Sequence, residues 1–511
     1  MLAHISSGAV LGVDAYLVRV EVDLSRGLPC MNVVGLPENA VREGRERVSA
    51  ALANTGFPLP PRRITVNLAP ADIPKSGSAF DLPVALGLLA ASGELPDVSR
   101  DTCIVGELGL DGTVRPVRGV LPIAARCREE GVHTLLCPPA NAAEACVVED
   151  LEVIAVPTLA AARDHLSGRS VIASARHEAV QGVIRAATAE LDFADVKGQE
   201  TAKRALEVAA AGVHNVLMVG PPGAGKSMLA RRLAGILPPL ERDEAVEATK
   251  VYSVAGGLRA GQALLVDRPF RAPHHTVSDA GLVGGGSPPR PGEASLAHTG
   301  VLFLDELPEF RRNALESLRQ PLEDGYISIS RARIALRYPA RFMLVAAMNP
   351  CPCGYFGAGA GRCICRTGQV ERYVARVSGP LLDRIDLHID VPALAGTRLT
   401  DVRTGESSAA IALRVAAARD RQAARFGTSA MRCNADMGPR QLREHCTVGA
   451  AGERMLRGAV QRLGLSARAY HRVLRVARTI ADLDGSDTIA TAHLAEAIQY
   501  RSLDRARTAH R

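Results

Sequence analysis

A chain of 511 residues with 47% apolar and 23% charged content has material for two to four cores, which excludes a disordered or fibrous protein. Every long apolar run is interrupted by Gly, Pro or charge, and Met1–Val18 carries no basic leader, so a cytoplasmic protein with no membrane partner is expected. The net charge of +7 is unevenly placed: Thr397–Arg511 holds 20 Arg, no Lys and 11 acidic residues, a net +9 against −2 elsewhere. Such a segment suits a polyanionic partner. It also fits solvated helix faces in an Arg-biased chain.

Residues 1–167 read as one unit, with strands at Tyr16–Val22 and Ile64–Leu68 and helices at Ala40–Ala53 and Leu82–Ala91. Residues 168–190 have helical composition without a core signal and read as a linker. Strand and helix alternate over 191–395, the pattern of an α/β layer. Residues 396–511 read as all helical: Ala409–Phe426, Ala450–Leu463, Ser466–Asp482 and Thr491–Tyr500.

Within the α/β segment, Val216–Val219 is followed by Gly220-Pro221-Pro222-Gly223-Ala224-Gly225-Lys226-Ser227, a complete phosphate loop, and then by a helix expected over Met228–Leu237. The glycines let backbone N–H groups turn inward on a polyphosphate. Lys226 reaches the β and γ phosphates, and the Ser227 hydroxyl can ligate Mg²⁺, so ATP and Mg²⁺ are the expected ligands. Val301–Leu304 is an apolar strand that ends in Asp305, suited to hold Mg²⁺, and Glu306, suited to orient or deprotonate water. A third apolar strand, Phe342–Ala347, leads to Asn349, which can sense the γ-phosphate or simply make a turn before Pro350. Arg384 lies between Asp383 and Asp386; it can stabilise phosphoryl charge or form a structural ion pair with those acids. His274 and His275 have no third ligand at metal spacing and read as loop-shaping residues.

Two insertions stand out. Glu323–Tyr338 reads as strand, basic tip (Arg331-Ala332-Arg333) and strand. Cys351-x-Cys353 and Cys363-x-Cys365 supply four thiolates for a closed Zn²⁺ site, although the spacing is tighter than C-x₂-C and reduced free thiols are the alternative.

The order of phosphate loop, Asp305-Glu306, Asn349 and Leu381–Asp386 resembles AAA+ ATPases. Arg268–Thr276 and Pro291–His298 resemble the magnesium-chelatase-like branch, and Asn349–Gly354 narrows the resemblance to the YifB/ComM family. It implies a multidomain α/β protein with a central AAA+ core (191–395) and an all-α lid of the magnesium-chelatase C-terminal type (396–511). It also implies a sensor role for Asn349, an arginine finger at Arg384 and a sensor arginine on the lid at Arg468, with Arg472 as the competitor. The expected assembly is a homo-hexameric ring. The expected partner is single-stranded or branched DNA, in a ComM-like helicase or branch-migration role in natural transformation and recombination. The hairpin resembles the pore hairpin of this branch, with Arg331 and Arg333 tracking the DNA backbone. The alternatives are a chelatase-type remodeller of a protein partner and an ATP-dependent protease.

Pro74–Ala79 and Val105–Gly119 resemble the Lon-type protease domain, an α+β fold with a Ser–Lys dyad. Ile123 stands where the lysine is expected, and Ser78 meets the serine position only with a gap. The N-terminal unit is therefore expected to assemble or bind rather than cut.

Overall fold

The computed structural model describes residues 2–175, 191–259, 261–287, 289–331, 334–357, 362–393, 405–427 and 431–501. The N-terminal unit is built on a mixed seven-stranded sheet. Its spatial order is Cys30–Val34, Arg63–Ala69, Asp14–Ser25, Leu2–Leu11, Thr102–Ile104, Thr134–Cys137 and Glu152–Ala155. A long hairpin starts it, running antiparallel from Leu2↔Asp23 to Leu11↔Asp14. Val18, Val20, Val22 and Leu24 are buried while Arg19 and Asp23 between them are not, the period-two pattern of a half-buried sheet. Helix Asp81–Ser92 is apolar on nearly every side because it is enclosed between this sheet and its own neighbours. Gly87 permits the contact: a Cβ there would lie 2.7 Å from Val22 Cγ2.

The central sheet has five strands, all parallel, in the order Phe270–Arg271, Val301–Leu304, Met343–Met348, Val216–Val219, Leu387–Asp390. Val216–Val219, Val301–Leu304 and Met343–Met348 are apolar throughout because both faces are covered, whereas the edge strand Leu387–Asp390 carries His388 and ends in the exposed Asp390. Val216 and Met218 face one core; Leu217 and Val219 face the other. The first of these cores continues without a break into the C-terminal helices. Leu206 and Ala209 of helix Glu200–Gly212 pack with Ile411 and Val415 of Ser408–Phe426 and with Val473 and Ile480 of Ala467–Leu483. Each fully buried aliphatic chain there contributes about 2 kcal/mol, so the helical segment shares the stability of the sheet.

The N-terminal unit docks on helix Arg242–Ala255, which sequence periodicity does not reveal. Gly119 N–H donates to Ser253 O at 3.1 Å, and Ser253 Oγ to the buried Glu144 at 2.5 Å. Burial raises the Glu144 carboxyl above its ordinary range, opposed by the Ser253 and Asn141 hydrogen bonds. Leu121 and Val147 close the contact against Ala263.

The inserted hairpin forms as expected, Tyr326–Arg331 pairing with Ile334–Pro339 from Tyr326↔Pro339 to Arg331↔Ile334. Arg333 lies outside the described residues, as do 176–190 of the expected linker. The helix after the phosphate loop departs from its expected bounds. It runs Lys226–Leu233 and tightens into a 3₁₀ turn at Ala234–Ile236, because Pro238 and Pro239 stop its continuation.

Candidate nucleotide site

The phosphate loop leaves the carboxyl end of Val216–Val219, with strands on both sides of it, the place where an open parallel sheet receives a ligand. Gly220 is required by close approach: a Cβ there would sit 2.1 Å from Val391 O. Gly223 (φ +75) and Gly225 (φ +90) adopt the left-handed conformation. The chain then enters helix Lys226–Leu233, whose first N–H groups have no partner in the helix and favour an anion.

Pro222–Met228, Asp305, Glu306, Met348 and Asn349 line one cavity of about 370 Å³. Lys226 Nζ is bonded to Gly220 O (2.6 Å), Pro221 O (3.0 Å) and Asn349 Oδ1 (3.1 Å). Burial holds its ammonium below the ordinary lysine range, with Asp305 and then Glu306 pulling the other way. Ser227 Oγ donates to Asp305 Oδ2 at 2.5 Å. That juxtaposes a hydroxyl and a carboxylate, two hard oxygen ligands of the kind Mg²⁺ takes, so these residues fit the cation. Glu306 is in the left-handed region (φ 53), uncommon for a non-glycine residue, and its N–H donates to Asp305 Oδ1 at 2.9 Å.

His275 belongs to this site, which sequence reasoning missed. Its Nδ1 lies 3.4 Å from Glu306 Oε2, and its ring lies against that of His274, with centroids 4.1 Å apart and planes tilted by 33°. The cause is topological. Phe270–Arg271 is the parallel neighbour of Val301–Leu304, so the loop after one strand lies beside the acids after the other. Only the strand pairing carries that information.

Arg384 and Arg468 are elsewhere, at the amino-terminal edge of the sheet. Arg384 is buried, its guanidinium paired with Glu323 and donating to Pro380 O at 2.7 Å. The ion pair with Asp383 and Asp386 that the sequence allows is not formed; Asp386 is taken by Arg472 at 2.6 Å. Arg468 is exposed on the first turn of Ala467–Leu483. The Glu323 carboxyl is held low by Arg384 first and by Arg468 to a lesser degree, which places the two arginines on one face. Beside them opens a second cavity, of about 410 Å³, lined by Arg341, Arg384, Arg419, Arg472, Arg475 and several acids.

The four cysteines converge. Cys351 Sγ lies 3.4 Å from Cys353 Sγ and 3.8 Å from Cys363 Sγ, Cys353 lies 3.7 Å from Cys363, and all four sulfurs fall within 4.8 Å of one another. A tetrahedron with ~2.3 Å metal–sulfur bonds has sulfurs roughly 3.8 Å apart. The cluster could therefore hold a metal ion. Backbone N–H groups of Tyr355 and Ile364 pull the Cys353 thiol down to about 6.

In the N-terminal unit the Ser78 hydroxyl donates to Glu107, and among the described residues no lysine bonds to it. Ile123 is core, 1% exposed. Lys75 is fully buried, and its Nζ has no hydrogen-bond partner among the described residues.

Three family models match in succession: subunit ChlI of magnesium chelatase over residues 20–141, magnesium chelatase subunit ChlI over 192–399, and the ChlI C-terminal segment over 405–501. The competence protein ComM of Haemophilus influenzae is 46% identical over 508 residues, covering 99% of this chain and 98% of that one. YifB of Escherichia coli is 44% identical over 506 residues, with 99% and 98% covered. The chloroplastic magnesium-chelatase subunit ChlI of Nicotiana tabacum is 28% identical over 181 residues, 31% of this chain and 42% of that one. With full-length similarity of that order and a phosphate-loop site assembled as described, this chain belongs to the YifB/ComM family of magnesium-chelatase-like AAA+ ATPases.

Proposed function

We propose that this protein is an ATP-hydrolysing ring motor, a homo-hexamer, that binds and moves along single-stranded or branched DNA, with a helicase or branch-migration role in transformation and recombination. The observation that carries the reading is the convergence of Lys226, Ser227, Asp305, Glu306 and Asn349 on one cavity at the carboxyl ends of a parallel sheet. The loop N–H groups and Lys226 bind the phosphates of ATP, which requires Lys226 to exchange its bonds to Gly220 O and Pro221 O for phosphate oxygens. Ser227 and Asp305 would hold Mg²⁺, which when bound neutralises charge on the β and γ oxygens. Glu306 orients water and takes its proton, and Asn349 positions the γ-phosphate through its link to Lys226. Arg384 and Arg468 face away from the cavity of their own chain, so they serve the nucleotide of a neighbouring subunit, for which Arg384 has to leave Glu323.

The labour divides along the chain: a Lon-like, non-proteolytic assembly module (1–167), a linker (168–190), the motor core (191–395) and the helical lid (396–511). Arg331 and Arg333 at the hairpin tip contact the DNA backbone. Cys351, Cys353, Cys363 and Cys365 hold a structural Zn²⁺. The relative named a competence protein supports the DNA reading, because competence is uptake of DNA. The test is ATP turnover with and without single-stranded and forked DNA, for the wild type and Glu306→Gln. DNA-stimulated turnover that the substitution abolishes is the expected result. Turnover indifferent to every DNA favours a remodeller of a protein partner.

A further inference from the structure

The cysteine loop is joined to the nucleotide site at three places, of which the function proposed above uses only the first, the bond between Asn349 and Lys226. Its entry is Asn349, two residues before Cys351, whose side chain holds Lys226 at 3.1 Å. Its middle is Gly354, which has φ +85, donates its N–H to Cys351 O at 2.9 Å and lies directly on the phosphate loop. A Cβ on Gly354 would be 2.4 Å from Pro222 Cδ and 2.7 Å from Pro222 Cγ. Its exit is helix Thr367–Val374, after which Arg376 pairs with Glu309 at 2.9 Å, three residues beyond Glu306. Tyr373 of that helix lies against the backbone of Asn349.

The stretch between these anchors holds little apolar material of its own. Tyr355, Phe356 and Ile364 are exposed, and Cys351 is the buried residue among the four thiols. Among the described residues, apart from the anchors, the sulfurs are what draw the loop together. Four thiols in van der Waals contact do not supply a closing force; four thiolates around one cation do, because the metal–ligand bonds form only when the loop is folded.

We infer that a tetrathiolate metal, Zn²⁺ by ligand class, held by Cys351, Cys353, Cys363 and Cys365, clamps Gly354 against Pro222 and thereby sets the affinity of the phosphate loop for nucleotide. The ATP site of this chain is metal-gated through Gly354 and Asn349. The inference rests on the reading of 220–227 as the nucleotide site and of the cysteines as metal ligands, and it adds the coupling between them. Without the metal the loop is released from the tip of the phosphate loop, and the sensor asparagine loses its fixed register on Lys226.

The experiment measures zinc content and the dissociation constant of a fluorescent ATP analogue for the full chain. The arms are the wild type, wild type stripped by chelator and then reloaded with Zn²⁺, Cys363→Ser and Gly354→Ala. The expected result is one zinc per chain in the wild type and in Gly354→Ala, and none in Cys363→Ser. Nucleotide binding is expected to weaken about tenfold or more in the stripped protein and in Cys363→Ser, and to return on reloading. Gly354→Ala keeps every cysteine and should weaken binding with zinc in place, which separates loss of the contact from misfolding. Wild-type affinity in a zinc-free chain overturns the coupling and leaves the nucleotide site standing. A zinc-free wild type after gentle purification overturns the metal and the coupling together. A zinc-loaded wild type that binds no nucleotide overturns the reading of the nucleotide site, and the coupling with it.

Discussion

The two ends of the central sheet are built in opposite ways. At the carboxyl ends the cavity is made from three short runs of sequence, 222–228, 305–306 and 348–349, and His275 contacts one of its lining carboxylates, Glu306. At the amino ends the cavity draws on segments spread from Val213 to Arg475, and its charges are paired across the chain: Arg384 with Glu323, Arg472 with Asp386, Arg268 with Glu244. The first end exposes groups that bond to the chain itself until a ligand takes them. The second stores arginines in ion pairs. Under the function proposed above the two ends are complementary, because an arginine that stabilises phosphoryl charge can be supplied by a neighbouring subunit.

The largest effect that would break this contrast is at Arg384. In a trans role its replacement by Ala lowers ATP turnover by roughly 10³-fold or more, while nucleotide binding by the chain is unchanged. Turnover by phosphate release and binding by fluorescence titration read the two separately. Equal loss of both would place Arg384 in its own subunit's site, against the geometry. Next is Glu306→Gln at the other end, expected to lower turnover by about 10²- to 10⁴-fold with binding retained. If binding falls too, the carboxylate is holding the loop rather than the water.

A third prediction concerns stability at the amino end. His214 is fully buried, its Nε2 2.7 Å from Thr479 Oγ1 on the C-terminal helix, and Gly212 makes room for it. Burial lowers it to about 4, with Asp386 opposing and Arg475, Arg472 and Arg419 adding to the shift. The unfolded histidine takes up its proton near pH 6.5, and the folded one declines it until about 4. The unfolded state thus binds more protons across that window. Stability is complete above pH 6.5 and is lost as the pH falls toward 4, by on the order of 3 kcal/mol at the lower end. Denaturant midpoints at pH 7 and pH 4.5 should differ less in His214→Gln than in the wild type.

What was legible in the sequence follows the same division. Gly220, Gly223 and Gly225 are forced by local backbone geometry, so a contiguous motif reports them. Val301–Leu304 and Met343–Met348 are apolar because both faces are buried, and the acids or amide that follow fall at the sheet's edge. The hairpin at Tyr326–Pro339 declares itself by alternation. The partner of Arg384 could not be read, because Glu323 is 61 residues away in sequence and both flanking acids were equally plausible on spacing. Nor could the docking helix Arg242–Ala255: it buries polar Glu244, Thr249 and Ser253 alongside Val251, so its inward face is not an apolar stripe. The C-terminal helices read correctly as helices, but their sharing of a core with the sheet depends on packing that no period encodes.

The smallest expected effect would sharpen the comparison most, because it falls on a residue at the carboxyl end of the sheet that only topology places there. His275 touches the carboxylate of Glu306 and not the phosphate loop, so it is a positioning residue. Glu306 sits in a left-handed backbone conformation, and its side chain is more than half exposed, so little else fixes its direction. Losing one contact of this kind costs roughly 1 kcal/mol, and His275→Ala should lower kcat about five- to tenfold with KM for ATP nearly constant. A merely structural histidine would instead lower the melting temperature and leave the ratio of kcat to KM effects unpatterned. His275→Asn keeps a donor on the loop and should recover part of kcat. In a Glu306→Gln background, where the carboxylate is absent, His275→Ala should add almost nothing; a full additional loss there would mean that His275 acts on some group other than Glu306.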